Sequence, residues 1–204
     1  MILEQIPLGE GRNFAYIFGD EATKEAAVID PGFNTEKILK RVDQLKVDIK
    51  YIFNTHSHGD HTAGNSKVKE KTGAKIVAYF KSPSAKDISV KDQDILHIGR
   101  LNVRIIYTPG HTPDGICLLA DGKLFTGDTL FVGECGRTDL TGGSAEDMYH
   151  SLFDKILSLD DSIEVYPGHD YGNKPRSTIG YERKTNYTLE KRSVEEFIQF
   201  MKES

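Results

Sequence analysis

The sequence predicts an α/β protein in which two β-sheets pack face to face and helices cover the outside. Two observations carry this reading. Short apolar runs, many of them closed by Gly, Pro or Asp, recur along the chain, and such runs read as buried strands. The same succession, strands followed by a helix and a further strand, occurs twice. A chain of 204 residues buries roughly 70% of the surface its unfolded form exposes, enough for an extended core. No internal repeat, low-complexity tract or long linker interrupts it, so residues 1–204 read as one domain.

Taken in order, the first third reads as three strands, a helix and a strand. Residues 14–18 end at Gly19-Asp20, and residues 26–30 end at Pro31-Gly32, both apolar runs stopped by turn formers. Thr35–Leu45 carries Ile38, Leu39, Val42 and Leu45 at helical spacing, with Asn34 as the cap. Residues 51–53 form a short strand that runs directly into Asn54-Thr55-His56. Strands follow at Lys75–Tyr79, 94–98, 102–107, 115–120 and 123–126, the last two joined by the hairpin signal Asp121-Gly122. A helix is expected over 144–159, a strand over 163–166, and helices over 178–186 and 193–202.

Composition excludes several classes. The formal charge of −5 is spread over interspersed acids and bases, which offers no basic stripe to a nucleic-acid backbone. No apolar run approaches the ~20 residues of a membrane span. The first residues lack the basic and apolar regions of a signal peptide. A cytoplasmic protein with neither nucleic-acid nor membrane partner is expected. Cys117 and Cys135 form no C-x-x-C pair and read as reduced, buried or half-buried thiols.

The decisive segment is Thr55-His56-Ser57-His58-Gly59-Asp60-His61. Side chains alternate in an extended loop, so His56 and His58 point the same way. Asp60 and His61 open the next helix, whose dipole favours an acidic first turn. Imidazoles with a carboxylate suit Zn²⁺ and also Fe²⁺. Three later segments each set one further donor just after a strand, in a Gly- or Pro-stiffened loop: Pro109-Gly110-His111, Thr126-Gly127-Asp128 and Pro167-Gly168-His169. Five of the seven histidines fall in these motifs, and His97 and His150 read as surface residues.

The set His-x-His-x-Asp-His followed by His, Asp and His resembles the metallo-β-lactamase superfamily, over nearly the whole chain. The resemblance implies a four-layer αββα sandwich with two divalent metal ions at one edge of the sheets, zinc first, with iron or manganese as alternatives. It implies that His56, His58 and His111 hold one ion, that Asp60, His61 and His169 hold the other, and that Asp128 bridges them. The chemistry implied is hydrolysis by a water that the metals acidify, with Asp60 as the catalytic group that orients the water and passes its proton.

Two branches of the superfamily share the remaining motifs. Thr126-Gly127-Asp128-Thr129, Cys135-Gly136-Arg137 and His169-Asp170-Tyr171 are similar to glyoxalase II, which cleaves thioesters of glutathione. That likeness implies a small thiol-derived substrate, with Arg137 on its carboxylate and Tyr171 on its thiol moiety. Gly136-Arg137-Thr138-Asp139, Ser177-Thr178-Ile179-Gly180 and the tail with Glu182, Arg183 and Asn186 resemble persulfide dioxygenases, in which His56, His111 and Asp128 would hold a single Fe²⁺. Thioester hydrolysis is the first expectation and persulfide oxidation the alternative. A binding module without catalysis would be marked by a lost ligand, and all seven are present.

Overall fold

The computed structural model describes residues 1–203. One sheet comprises β1 (Ile2–Pro7), β2 (Phe14–Gly19), β3 (Glu25–Ile29), β4 (Asp48–Phe53), β5 (Lys75–Tyr79) and β6 (Ile88–Val90), side by side in chain order. The other comprises β7 (Ile95–Ile98), β8 (Leu101–Tyr107), β9 (Ile116–Ala120), β10 (Lys123–Gly127), β11 (Glu164–Pro167) and β12 (Ser177–Thr178), also in chain order. Both sheets are mixed. β3, β4, β5 and β6 run parallel to one another, as do β10 and β11, and the other pairings are antiparallel.

The layer order follows from side-chain alternation. Along β2, Phe14, Tyr16 and Phe18 join the core between the sheets, where they meet Phe53, Ile105, Phe125 and Tyr166. Ala15 and Ile17 point the opposite way into a second core. That core is closed by α1 (Thr35–Leu45), through Ile38 and Val42, and by α3 (Asn65–Thr72), through Val68. A third core lies outside the other sheet, where Ile106, Leu124 and Val165 pack against Met148, Leu152, Ile179 and Phe197. These come from α4 (Ala145–Tyr149) and the turns that prolong it, from α5 (Ile179–Thr185) and from α6 (Val194–Glu203). Strands buried on both faces explain why their sequences read as near-continuous apolar runs. The result is a four-layer αββα sandwich.

Local signals behave as their chemistry dictates. Asn34 caps α1 by accepting from the Lys37 amide at 3.4 Å. Asp121 and Gly122 both adopt positive φ, 48° and 71°, and turn β9 into β10 as a two-residue hairpin. The helix expected over 144–159 is broken: α4 continues through a wider π turn at His150–Lys155 and a 3₁₀ turn at Ile156–Ser158. Ser151 Oγ donates to the Pro109 carbonyl at 2.6 Å and Lys155 Nζ to the Tyr107 carbonyl at 2.6 Å, so the segment is tethered to the end of β8. α3 has one apolar buried residue, Val68, among lysines and polar groups, and gives no helical stripe in the sequence. Its helicity rests on packing under β4 and β5.

Candidate metal centre

Five connections deliver the site, all at the same edge of the sandwich. β3 leads into Asp30, β4 into His56 and His58, β8 into His111, β10 into Asp128 and β11 into His169. Asp60 and His61 lie on the single-turn helix α2 (Gly59–Thr62) that follows the β4 loop. Carboxyl ends of parallel strands are where α/β sheets gather their chemistry, because loops from several strands converge there.

The side chains fall into two triads. In the first, His56 Nε2 stands 3.1 Å from His58 Nδ1, which stands 3.0 Å from His111 Nε2. In the second, His61 Nε2 is 3.2 Å from His169 Nε2, and Asp60 Oδ2 is 3.6 Å from the former and 3.5 Å from the latter. Asp128 lies between them: Oδ2 is 3.5 Å from His111 Nε2 and 3.3 Å from His169 Nε2, and Oδ1 is 3.4 Å from His61 Nε2. His56, His61, His111, Asp128 and His169 are buried, whereas Asp60 is 37% exposed by side chain.

These distances fit divalent cations. Ring nitrogens that face each other with lone pairs repel unless a positive charge lies between them. Ligand atoms held tetrahedrally ~2.0–2.1 Å from a zinc ion stand ~3.3 Å from one another, close to the spacing seen in both triads. Asp128 Oδ1 is buried and has no hydrogen-bond partner in the protein, the state of an atom whose partner is an ion.

The outward faces of the rings are pinned, which fixes which nitrogen points inward. His111 Nδ1–H donates to the Arg137 carbonyl at 2.8 Å, and His169 Nδ1–H to the Gly11 carbonyl at 2.9 Å. His61 Nδ1–H donates to Asp30 Oδ2 at 3.0 Å. His56 Nδ1–H lies 3.1 Å from Thr55 Oγ1, whose own proton goes to Asp30 Oδ2 at 2.6 Å. Asp30 therefore supports one histidine of each triad. It does so from a left-handed backbone, φ 47°, at the end of β3, a conformation Asp tolerates better than most residues.

The electrostatic surroundings differ between the two triads: the pKa values of His56 and His58 of the first are shifted down, and those of His61 and His169 of the second are shifted up. Burial opposes a proton on His61, but Asp128 and Asp30 outweigh it and hold its pKa well above the ordinary histidine range. Burial likewise opposes charge on Asp128, yet His61, His169 and His56 keep that carboxyl well below its usual value. His56 goes the other way: burial, then the charge of His61, push its pKa well down.

Glycine is required where backbone passes the carboxylate. A methyl group on Gly168 would collide with Asp128 Oδ1, and one on Gly136 with the Asp128 carbonyl. Gly136 thus serves a close approach, not a special turn conformation.

A cavity of about 470 Å³ opens over the triads, lined by His58, Asp60, His111, Asp128, Cys135, Arg137, Leu140, His169 and Tyr171 among others. Tyr171 stacks on His169, centroids 4.7 Å apart and 10° between planes, and the Arg12 guanidinium lies 5.7 Å from its ring centre. The Arg137 side chain is 63% exposed and bidentate to Asp139, with Nε–Oδ1 and Nη2–Oδ2 both 2.6 Å. His97 and His150 are exposed and belong to none of these groups. Cys117 and Cys135 are free and buried, and burial raises their thiols to about 11 and about 12.

Sequence reasoning passed over Asn13, Asp30 and Thr55. Asn13 is buried and donates to Asp60 Oδ2 at 2.9 Å. It sits one residue before β2, next to nothing that marks it.

The fold and the paired His/Asp triads define a metal-dependent enzyme of the αββα sandwich class. The chain belongs to the metallo-beta-lactamase superfamily, whose model matches residues 8–79 and 78–169. It is 34% identical over 205 residues to the mitochondrial persulfide dioxygenase ETHE1 of Bos taurus, covering 98% of this chain and 80% of that protein. It is 39% identical over 165 residues to a hydroxyacylglutathione hydrolase of Pelagibacter ubique (strain HTCC1062), covering 78% and 67%. Among solved structures, ETHE1 from Myxococcus xanthus superimposes with a TM-score of 0.95 at 36% identity, covering 99% of this chain and 90% of that one. Among the described residues, no helix is long and apolar enough to cross a membrane.

Proposed function

We propose that the protein is a metal-dependent hydrolase that cleaves the thioester of a small thiol. The observation that carries this is the position of Asp128, whose two oxygens reach His111 and His61, one from each triad. In this reading His56, His58 and His111 hold one ion, Asp60, His61 and His169 a second, and Asp128 is shared. Divalent ions, if bound there, would supply Lewis acidity toward a carbonyl oxygen and would lower the pKa of water toward ~7. Zinc suits the nitrogen-rich donor set, and iron or manganese is the alternative.

The protein's own groups do the rest. Asp60 is the partly exposed carboxylate of the cluster, and Asn13 fixes its Oδ2. It takes the proton released when water adds to the thioester carbon, and returns it to sulfur as the C–S bond breaks. Tyr171, rigid on His169, bounds the cavity where the thiol moiety lies. The cavity is within the usual ~300–1,000 Å³ range for small-molecule sites. The hydroxyacylglutathione hydrolase relative supports the thioester.

A second reading, oxidation of a persulfide at one Fe²⁺ held by His56, His111 and Asp128, is favoured by the length of the dioxygenase matches. The Bos taurus dioxygenase covers 98% of this chain and the Myxococcus xanthus ETHE1 structure 99%, so both include its C-terminal segment. One experiment separates the two: metal analysis of anaerobically purified protein, with thioester cleavage and O₂ uptake on glutathione persulfide measured side by side. Two metals per chain and thioester cleavage without O₂ are expected. One iron and O₂ consumption would replace the first reading by the second.

A further inference from the structure

The loop that follows Asp128 is held from behind by α5. Residues 129–137 fold back on themselves: Leu130 bridges Cys135, the Phe131 amide donates to the Glu134 carbonyl at 2.9 Å, and the Gly136 amide to the Thr129 carbonyl at 3.3 Å. The loop ends at the Arg137 carbonyl that receives His111 Nδ1–H. Behind it stands Glu182, 0% exposed. Its Oε2 accepts from the Gly133 amide at 2.8 Å and from Asn186 Nδ2 at 2.9 Å. Asn186 Nδ2 also donates to the Glu134 carbonyl at 3.1 Å.

Glu182 is otherwise costly. Its Oε1 has no hydrogen-bond partner, and no cation pairs with it among the described residues. A buried carboxylate in that state destabilises a fold relative to an apolar side chain of similar size. Its side-chain hydrogen bonds go to the loop and to the asparagine that grips the same loop, an asparagine whose Oδ1 also accepts from the Thr188 amide and hydroxyl, so the placing of these segments is what offsets its cost. A hydrogen bond from an amide to a carboxylate is about twice as strong as a neutral one, which suits a clamp.

We propose that Glu182 and Asn186 are positioning residues of the metal centre. They anchor the loop at Gly133 and Glu134, so that the Arg137 carbonyl stays under His111 and the Nε2 lone pair faces the first triad. The inference rests on the reading of His111 as a metal ligand.

The test uses metal-free full-length protein with two readouts, zinc affinity by calorimetry and the His111 tautomer by ¹⁵N NMR of the imidazoles. Glu182→Ala and Asn186→Ala are expected to weaken zinc binding about 10- to 100-fold, the usual effect of losing an outer support of a ligand. His111 should change from a single Nδ1–H form to an averaged one. Glu182→Gln, which keeps an acceptor for the Gly133 amide, should restore most of the affinity. Where Glu182→Ala does not fold, Asn186→Ala and Glu182→Gln carry the test, since neither leaves a hole in the core as large. Folded Asn186→Ala with unchanged zinc affinity and an unchanged His111 tautomer would overturn the proposal. Absence of zinc binding by the parent protein would instead overturn the ligand assignment, and the tautomer readout still judges the clamp.

Discussion

Asp30 shows how much a single carboxylate can organise. It accepts from the Thr55 amide at 2.9 Å, the Thr55 hydroxyl at 2.6 Å and the His61 ring at 3.0 Å. The Thr55 hydroxyl in turn takes the outward proton of His56. An asparagine in its place offers one acceptor oxygen where two are used, and its NH₂ would face a donor. Asp30→Asn is therefore expected to lower metal affinity about 10- to 100-fold, by loosening a histidine of each triad, while circular dichroism stays that of the parent. Parent-like zinc binding in a calorimetric titration would show that Asp30 merely ties the β3 and β4 loops together. In the sequence this residue stands before Pro31-Gly32 and reads as the end of a strand. Its partners lie 25 and 31 positions away, and nothing local announces them.

At the scale of elements, the inner strands and the long helix α1 follow from local pattern because strands such as β2 are buried on both faces and α1 on one. Residues Thr35–Leu45 and Lys75–Tyr79 could be delimited to the residue for that reason. β6, β12 and α3 could not. Ile88–Val90 and Ser177–Thr178 are too short to show alternation, and α3 is mostly polar. These elements exist because a neighbouring edge or surface is there to receive them.

At the far edge of the sandwich the sheets are tied by polar contacts, among them the Gly99 amide to Glu25 Oε2 at 2.8 Å and a cluster of bonds to Asp20. Asp20, in the turn after β2, takes Arg100 Nε at 2.8 Å, Arg100 Nη2 at 2.7 Å and the Arg100 amide at 2.9 Å, from the turn between β7 and β8. The Arg100 guanidinium, then the Ala22 amide, hold the Asp20 carboxyl well below its usual value. A depressed carboxylate contributes stability above its unfolded pKa of ~3.9, and that contribution fades as the pH falls below it. Asp20→Asn should thus melt at lower temperature than the parent at neutral pH, with the gap closing below about pH 4. Thermal melts between neutral and acid pH check this, and a gap independent of pH would mean that packing, not charge, links the turns.

For the whole molecule, the candidate metal centre is a concentration of five histidines and two carboxylates at one edge, which the unfolded chain does not assemble. Ions that bind only the folded state stabilise it by ~2.7 kcal/mol at a hundredfold excess over Kd. Chelation is expected to lower the melting temperature, and readdition of zinc to restore it in a concentration-dependent way. Identical melts with chelator and with zinc would mean that the native state holds no ion at that edge.

What the sequence determined by itself was the layer architecture and the candidate His and Asp side chains that the fold gathers, because apolar periodicity and histidines in stiff post-strand loops are local properties. The tertiary structure alone decided which groups lie behind the donors. Asn13, Asp30 and Glu182 earn their roles from contacts with residues 47, 31 and 49 positions away, and Arg137 reaches His111 with its carbonyl while its side chain pairs with Asp139. Hydrogen bonds that close such long loops depend on where the fold places two segments. Chain-local pattern carries no record of that.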